Sequence, residues 1–446
     1  MVIPLAYGRQ GASINVPDEN LVAVVEPDWP AVLEHPQQAV AETLRRPVAG
    51  PALAAVLVER AGGRTRSVGS AEWRRQWRTF GVVIVVSDGT RPCPNHEVLQ
   101  PILVEIHDAG IPAECVTILI GTGLHAPMVG AETRRLLGDD IVSKYRVVNH
   151  FGHRPVTLKR LGQTAAGTPV VLSREWCDAD VRIATGVIEP HMMAGFSGGR
   201  KAICPGLAGD ETVCAWHAPR FIEHALALPG VLDGNPEHEE ALAVAEFAPP
   251  HFTVNVTVDR QERLTGVFAG GMRAAHEAGV ACLRGHIARP VPEPCDVVVT
   301  TNGGYPLDAT YYQCQKGLLT AFAVLKRGGT FLFAAACEEG LGQREFRDQV
   351  MRYRSLEEFM QVITAPGAAV VKDQWAIENL AKAARHGEIL FWSEGFSWAL
   401  QERLFVTPVH SLQEGLDRAL AKHGPGARIA VLPHGPYVLP YVGKKK

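Results

Sequence analysis

The run VVIVVS at residues 82–87 places five β-branched residues in a row before its first polar side chain. A strand with one wet face alternates apolar and polar residues, because successive side chains point to opposite sides. This run does not alternate, so both of its faces must be covered. It is followed by PNHEVLQPILVEIHDAG, with apolar residues at helical spacing and Gly110 as the stop. Further strand-like runs come at CVTILI (115–120), YRVVNH (145–150) and DVRIATGVI (180–188). Strands alternating with helices specify a parallel sheet with helices on both sides.

The pattern restarts at CDVVVTT (295–301) and continues through a helix at Ala309–Leu325 and a strand at GGTFLFAAA (328–336). Later strands are expected at AVVK (369–372), GEILFWS (387–393) and RIAVLPHG (428–435). Between the two runs lies HIARPVPEPCD (286–296), with three prolines in five residues, which reads as a linker. The first 80 residues look irregular, apart from a strand at Leu21–Val25 and a helix around Ala39–Arg45. The expectation is an α/β protein of two Rossmann-like domains with parallel-rich sheets and an active-site cleft between them. Residues 1–288 form the first domain and 293–435 the second, with the tail 436–446 returning to the first.

Composition narrows the function classes. The 446 residues carry a net charge of −3 with no basic field, so a nucleic-acid partner is not expected. No apolar segment reaches 18 residues, and the start MVIPLAYGRQGASINV lacks a charged leader with an apolar run, so neither a membrane span nor a signal peptide is expected. The nine cysteines are dispersed without a Cys-x-x-Cys pair, which fits reduced thiols in a cytoplasm and disfavours a four-thiolate zinc site. The end, Gly443–Lys446, reads as a solvated tail.

Ligands of open α/β sheets bind beyond the carboxyl ends of the strands. Four such ends here are loaded: DGTRP after 82–87, GTGLHAP after 115–120, EPHMMAGFSGGRKAICPG after 180–188, and NGGYPLDATYYQCQK after 295–301. Singly, each has an ordinary explanation. His125 in GTGLHAP is by itself a loop histidine. GTGLHA fits a dinucleotide fingerprint, but the next strand ends at His150 rather than at an acid. SGGRKA lacks the Walker spacing, although two glycines ahead of a lysine let backbone N–H groups approach an anion. Cys204 and Cys214 are core residues by default. Together the pieces offer two imidazoles for acid–base work, cations at Arg91 and Lys316 for an anionic substrate, an amine at Lys201 and a metal ligand at His217.

The stretch PHMMAGFSGGRKAICPG, followed by His217 sixteen residues after Lys201, resembles the lactate racemase family of nickel-pincer-nucleotide-dependent 2-hydroxyacid racemases and epimerases. DGTRP, GTGLH and YYQCQKG match in order and type, and the resemblance runs from about Tyr7 to about residue 435. It implies an isomerase that moves a hydride reversibly from the substrate α-carbon to a nickel-pincer nucleotide, Ni(II)-pyridinium-3,5-bisthiocarboxylic acid mononucleotide, tethered to Lys201. By the same resemblance His217 binds nickel, and Asp88, Gly89, Thr90, Arg91 and Pro205 line the nucleotide. His125 and His191 are the catalytic acid–base pair, one for each enantiomer. Gln313 and Lys316 hold the substrate, with Tyr312 and Trp375 beside it. A small 2-hydroxy acid and the cofactor-making enzymes are the implied partners. Met192 and Met193 stand where lactate-specific members carry aromatics, which implies a pocket for a longer or bulkier acid. Two other readings remain: a mononuclear zinc lyase or hydrolase using His191, His217 and Cys204 or Cys214, and a non-catalytic binder of phosphorylated metabolites.

Overall fold

The computed structural model describes residues 1–64 and 76–443. The three terminal lysines, expected as a solvated tail, lie outside the described residues, as does the 65–75 part of the tract read as irregular. Two six-stranded sheets organise the chain. In the first, the spatial order is Leu264–Gly270, Phe252–Val258, Val181–Val187, Val82–Ser87, Val116–Gly121, Arg146–Asn149. All neighbours are parallel except the first pair, which is an antiparallel hairpin.

Val82–Ser87 is central, which accounts for its unbroken apolar run. Val82, Ile84 and Val86 face one core, shared with the helix Asn95–Asp108. Val83 and Val85 face another, shared with Trp176 and Trp216. Each side chain fully buried this way contributes roughly 1.5–3 kcal/mol. The second sheet runs Thr407–Pro408, Glu388–Trp392, Leu325–Ala334, Cys295–Thr301, Ile429–Leu432, Leu21–Val24, all parallel.

Both sheets contain a point where the strand order reverses. The chain moves outward from Val82–Ser87 to Val116–Gly121 and Arg146–Asn149, then returns to Val181–Val187 on the other side. The second sheet does the same between Cys295–Thr301 and Ile429–Leu432. Loops leaving the two sides of such a point diverge and open a crevice.

Several expectations change. The strand Leu21–Val24 pairs with Ile429–Leu432, and Ile3, Leu5, Ile14 and Val16 pack against the second sheet. The first 25 residues therefore sit with the second sheet. The early region also holds a hairpin, Val2–Leu5 with Ala12–Asn15, and a helix, Leu53–Ala61, that its mixed composition concealed. The proline-rich connection is ordered: Ala288–Val291 pairs in parallel with Leu439–Val442 near the end of the chain. The AVVK segment is not a strand; it leads into the helix Gln374–His386. The helix expected over Ala309–Leu325 is confined to Gln315–Ala321, after a short turn at Tyr311–Gln313.

The two halves are clasped by that Gln374–His386 helix. Lys382 Nζ donates to the carbonyls of Ile222, His224 and Ala227 at 2.9, 2.9 and 3.1 Å. Arg385 pairs with Glu223 at 2.5 Å. Among the described residues no helix is long and apolar enough to cross a membrane.

Candidate active site

The loaded strand ends converge on one cleft of about 1160 Å³, counted out to its open mouth. It is lined from the first half by Asp88, Thr90, Arg91, His125, His191, Lys201, Pro205 and His217, and from the second by Tyr312, Gln313, Lys316 and Trp375. Of the residues given a role by the family resemblance, Gly89 alone falls outside the lining. It packs against Met128, whose Cε would lie 2.9 Å from an added Cβ.

Asp88 follows the strand Val82–Ser87 directly and is buried. Its Oδ1 accepts from the backbone N–H and the hydroxyl of Thr90, at 3.1 and 2.5 Å. Its Oδ2 lies 2.7 Å from Nδ1 of His125. Burial alone would raise the Asp88 carboxyl, but the bonds to His125 and Thr90 and the charge of Arg91 outweigh it and hold the group below the usual range. Asp88 is thus the partner of His125 rather than a bare wall for a nucleotide. Arg91 pairs with Glu189 at 3.2 Å.

His191 sits in a short hairpin, Pro190–His191 with Gly195–Phe196. Gly195 closes it at φ +75°, where an added Cβ would lie 2.1 Å from the Val231 carbonyl oxygen. His191 Nδ1 accepts from the N–H groups of Met193 and Ala194, at 3.4 and 3.2 Å. Burial, then the charges of Lys201, Arg91, Lys316 and Arg200, push this imidazole well below its ordinary value.

Lys201 lies in the turn Gly199–Ala202. It is buried, with Nζ 4.7 Å over the Trp216 ring, and among the described residues it has no hydrogen-bond or ion-pair partner. Burial and the charges of Arg91 and Arg200 push its amine well below the ordinary lysine range. A neutral amine is the nucleophilic form. The second of the glycines before it does not offer its N–H to an anion. Gly199 N–H is taken by Asn255 Oδ1 at 2.8 Å, and an added Cβ at Gly198 or Gly199 would meet Ile188 or His276 at 2.9 Å. They are glycines because the protein packs against them. Ser197 pins the same loop, donating to the Val187 carbonyl at 2.7 Å and accepting from Glu189 N–H at 2.9 Å.

His217 caps the helix Asp210–Trp216. Its Nδ1 donates to the Val213 carbonyl at 2.9 Å, which leaves the Nε2 lone pair free, and its ring stacks on Trp375 at 4.0 Å. Burial pushes it down to about 3, so it stays neutral, as a metal ligand must. Trp375 Nε1–H donates to the Tyr312 hydroxyl at 3.2 Å, and that hydroxyl donates to Asp373 at 3.1 Å. Lys316 is pushed down to about 8, by burial first and Arg91 second.

Sequence reasoning passed over Glu189, Trp216 and Asp373. Glu189 was visible in EPHMM but carried no motif role. Asp373 holds φ +66°, a backbone state that a one-dimensional pattern does not show. Among the described residues no three His, Cys, Asp or Glu side chains converge as a metal set. Cys204 is packed in the core beside Trp216, and Cys214 is not part of the cleft lining, so the zinc reading loses its thiolates. The residues present do fit a tethered cofactor that brings its own metal donors: one free imidazole nitrogen, one unpaired buried amine and a deep cleft.

Imidazoles and buried cations gathered where the strand order of two α/β sheets reverses define the site of an α/β enzyme. Residues 68–228 match the family model for the lactate racemase N-terminal domain, and residues 291–439 that for the lactate racemase C-terminal domain. The chain is 31% identical to a lactate racemase of Lactiplantibacillus plantarum and 30% identical to one of Thermoanaerobacterium thermosaccharolyticum, over 98% of each chain in both cases. Its fold matches the lactate racemase apoprotein structure from the latter organism with a TM-score of 0.88 and 28% identity, covering 99% of this chain and 100% of that one. A Thermotoga maritima structure shares the fold, with a TM-score of 0.64 at 17% identity over 93% of this chain and 100% of that one. The chain belongs to the lactate racemase family, whose named members are isomerases.

Proposed function

We propose that this chain racemises or epimerises a 2-hydroxy acid with a nickel-pincer nucleotide attached at Lys201. The observation that carries the reading is the convergence of His125, His191, Lys201, His217 and Lys316, from separate loops of both halves, on one cleft. Lys201 offers a buried, unpaired amine for the tether, and His217 Nε2 offers the protein's bond to nickel. Thr90, Arg91 and Pro205 flank the nucleotide.

When bound, the cofactor supplies an electron-poor centre that accepts the α-hydrogen with its electron pair and gives it back. The protein does the rest. Lys316 and Gln313 fix the substrate carboxylate, and fixation keeps a flat keto acid from leaving before its second face is presented. The imidazoles handle the hydroxyl proton, a contribution of roughly 10²–10⁴-fold. The clasp of the Gln374–His386 helix keeps Trp375 over the cleft. Met192 and Met193 line the cleft with adaptable thioethers, which suits an acid longer or bulkier than lactate. The compartment is a cytoplasm that also contains the cofactor-making enzymes.

The test is co-expression with those enzymes, followed by nickel analysis and intact mass. One nickel per chain and a covalent mass gain lost in Lys201→Ala are expected. A panel from lactate to aromatic and sugar acids then assigns the substrate. Protein that takes up no nickel, or racemises no member of the panel when loaded, refutes the reading.

A further inference from the structure

The clasp between the two halves contains a carboxyl that the bonds already described leave unexplained. Glu378, Lys382 and Arg385 follow one another at i, i+4 and i+7 along the helix Gln374–His386, so they share a face. Glu223 meets them from the first half, at the end of the helix Pro219–Ile222. Arg385 takes Oε2 of Glu223 at 2.5 Å. Oε1 of Glu223 is out of reach of water and, among the described residues, has no donor. Glu378 is fully buried, and neither of its oxygens has a donor there either. Lys382 cannot supply one, because its three hydrogens go to the carbonyls of Ile222, His224 and Ala227. An ionised carboxylate only accepts hydrogen bonds, so two of them cannot satisfy each other. One proton on Glu378, donated to Glu223, satisfies both. Burial, then the charge of Glu223, push the Glu378 carboxyl up to about 8, against the pull of Lys382 and Arg385. Glu237 faces the same cluster from the helix Pro236–Ala245 and is likewise buried, with neither oxygen partnered among the described residues.

We propose that Glu378 and Glu223 share one proton across the interface of the two halves, and that this proton is a latch holding the halves together over the cleft. Trp375 lies one turn ahead of Glu378 on the same helix and stacks on His217 in the cleft wall. Release of the latch is a plain acid dissociation: the O–H bond of Glu378 breaks and the proton passes to a base in the solvent. Two like charges are then in contact behind Trp375, and the halves part more readily. The sign follows from linkage. Folded and latched, Glu378 keeps its proton up to about pH 8; unfolded, it loses it near its ordinary value of 4.5. Between those values the latched protein holds the extra proton. Closure therefore weakens as the pH rises through that window and changes no further above it. None of this depends on the identity of the substrate or on a bound cofactor.

Glu378→Gln keeps the shape and a donor to Glu223 but cannot titrate. The full-length native and variant proteins are compared from pH 5 to pH 9 by urea unfolding and by the rate of limited proteolysis between the halves. Taking the difference at each pH cancels the other titrating groups. The variant's unfolding midpoint should gain on the native one steadily up to about pH 8 and by a constant amount beyond it. Native cleavage should speed up relative to the variant by about tenfold or more between pH 6 and pH 8, since each pH unit in the window is worth up to a factor of ten. A difference that does not change with pH overturns the latch. Glu237→Gln is the control: if it removes the pH dependence while Glu378→Gln leaves it intact, the proton belongs to Glu237 and the proposal fails. Should Glu378→Gln not accumulate as folded protein, Glu223→Gln removes the second charge and must shrink the same slope; an undiminished slope refutes the shared proton.

Discussion

Lys316 stabilises a future complex at the expense of the empty protein, and the size of that expense is measurable. Its ammonium is held at about 8 instead of 10.5, chiefly by burial and then by Arg91. Each factor of ten in proton affinity is about 1.4 kcal/mol, so a drop of about 2.5 pH units corresponds to about 3 kcal/mol. The side chain has one edge on the cleft, where water reduces the penalty, so roughly 1–3 kcal/mol is the working figure. The sign follows from linkage. The folded value lies below the unfolded one, so at pH 7 both states hold the proton and the folded state bears the full penalty. As the pH rises from about 8 toward 10.5 the folded protein sheds the proton first and the penalty fades. Lys316→Met keeps the stem and removes the charge. The apoprotein should gain roughly 1–3 kcal/mol in urea unfolding at pH 7, and the gain should shrink steadily above pH 8. The same variant, loaded, should lose substrate affinity. A loss of stability at pH 7, or a gain that does not depend on pH, would refute the claim that a desolvated charge is stored there.

Gly195→Ala sets a Cβ 2.1 Å from the Val231 carbonyl at φ +75°, so it should lose more than about 3 kcal/mol or fail to accumulate as soluble protein, scored by thermal melting. Lys382→Met leaves the carbonyls of Ile222, His224 and Ala227 without their donor; a cost of about 3 kcal/mol and faster proteolysis between the halves are expected. Trp375→Phe keeps the stack on His217 but removes the donor to Tyr312, so loaded protein should retain nickel while kcat/KM falls, read by metal analysis beside steady-state kinetics.

How far the sequence could be read depended on whether a property is local. The run at 82–87 announced its own burial, because covering both faces of a strand demands apolar residues at every position, and the other central strands followed the same logic. The placement of Leu21–Val24 was hidden, because pairing with a strand some 400 positions away leaves no local mark. The AVVK segment has strand composition but precedes a helix whose own pattern prevailed. At the site, residue types announced the chemistry: an amine, imidazoles and cations at strand ends. Their partners did not. Asp88 beside His125 and Glu189 beside Arg91 are joined across 37 and 98 positions. The glycines of SGGRK were legible as a requirement but not as its cause: backbone approach to an anion and close packing against Ile188 and His276 produce the same letters. Only the direction in which Gly199 N–H points, at Asn255 instead of the cleft, separates them. The same holds for the two histidines, identical in the sequence: one Nδ1 faces a carboxylate and the other two backbone amides. A motif therefore names the groups that meet a ligand, while the way each group points is set by contacts that its letters do not show.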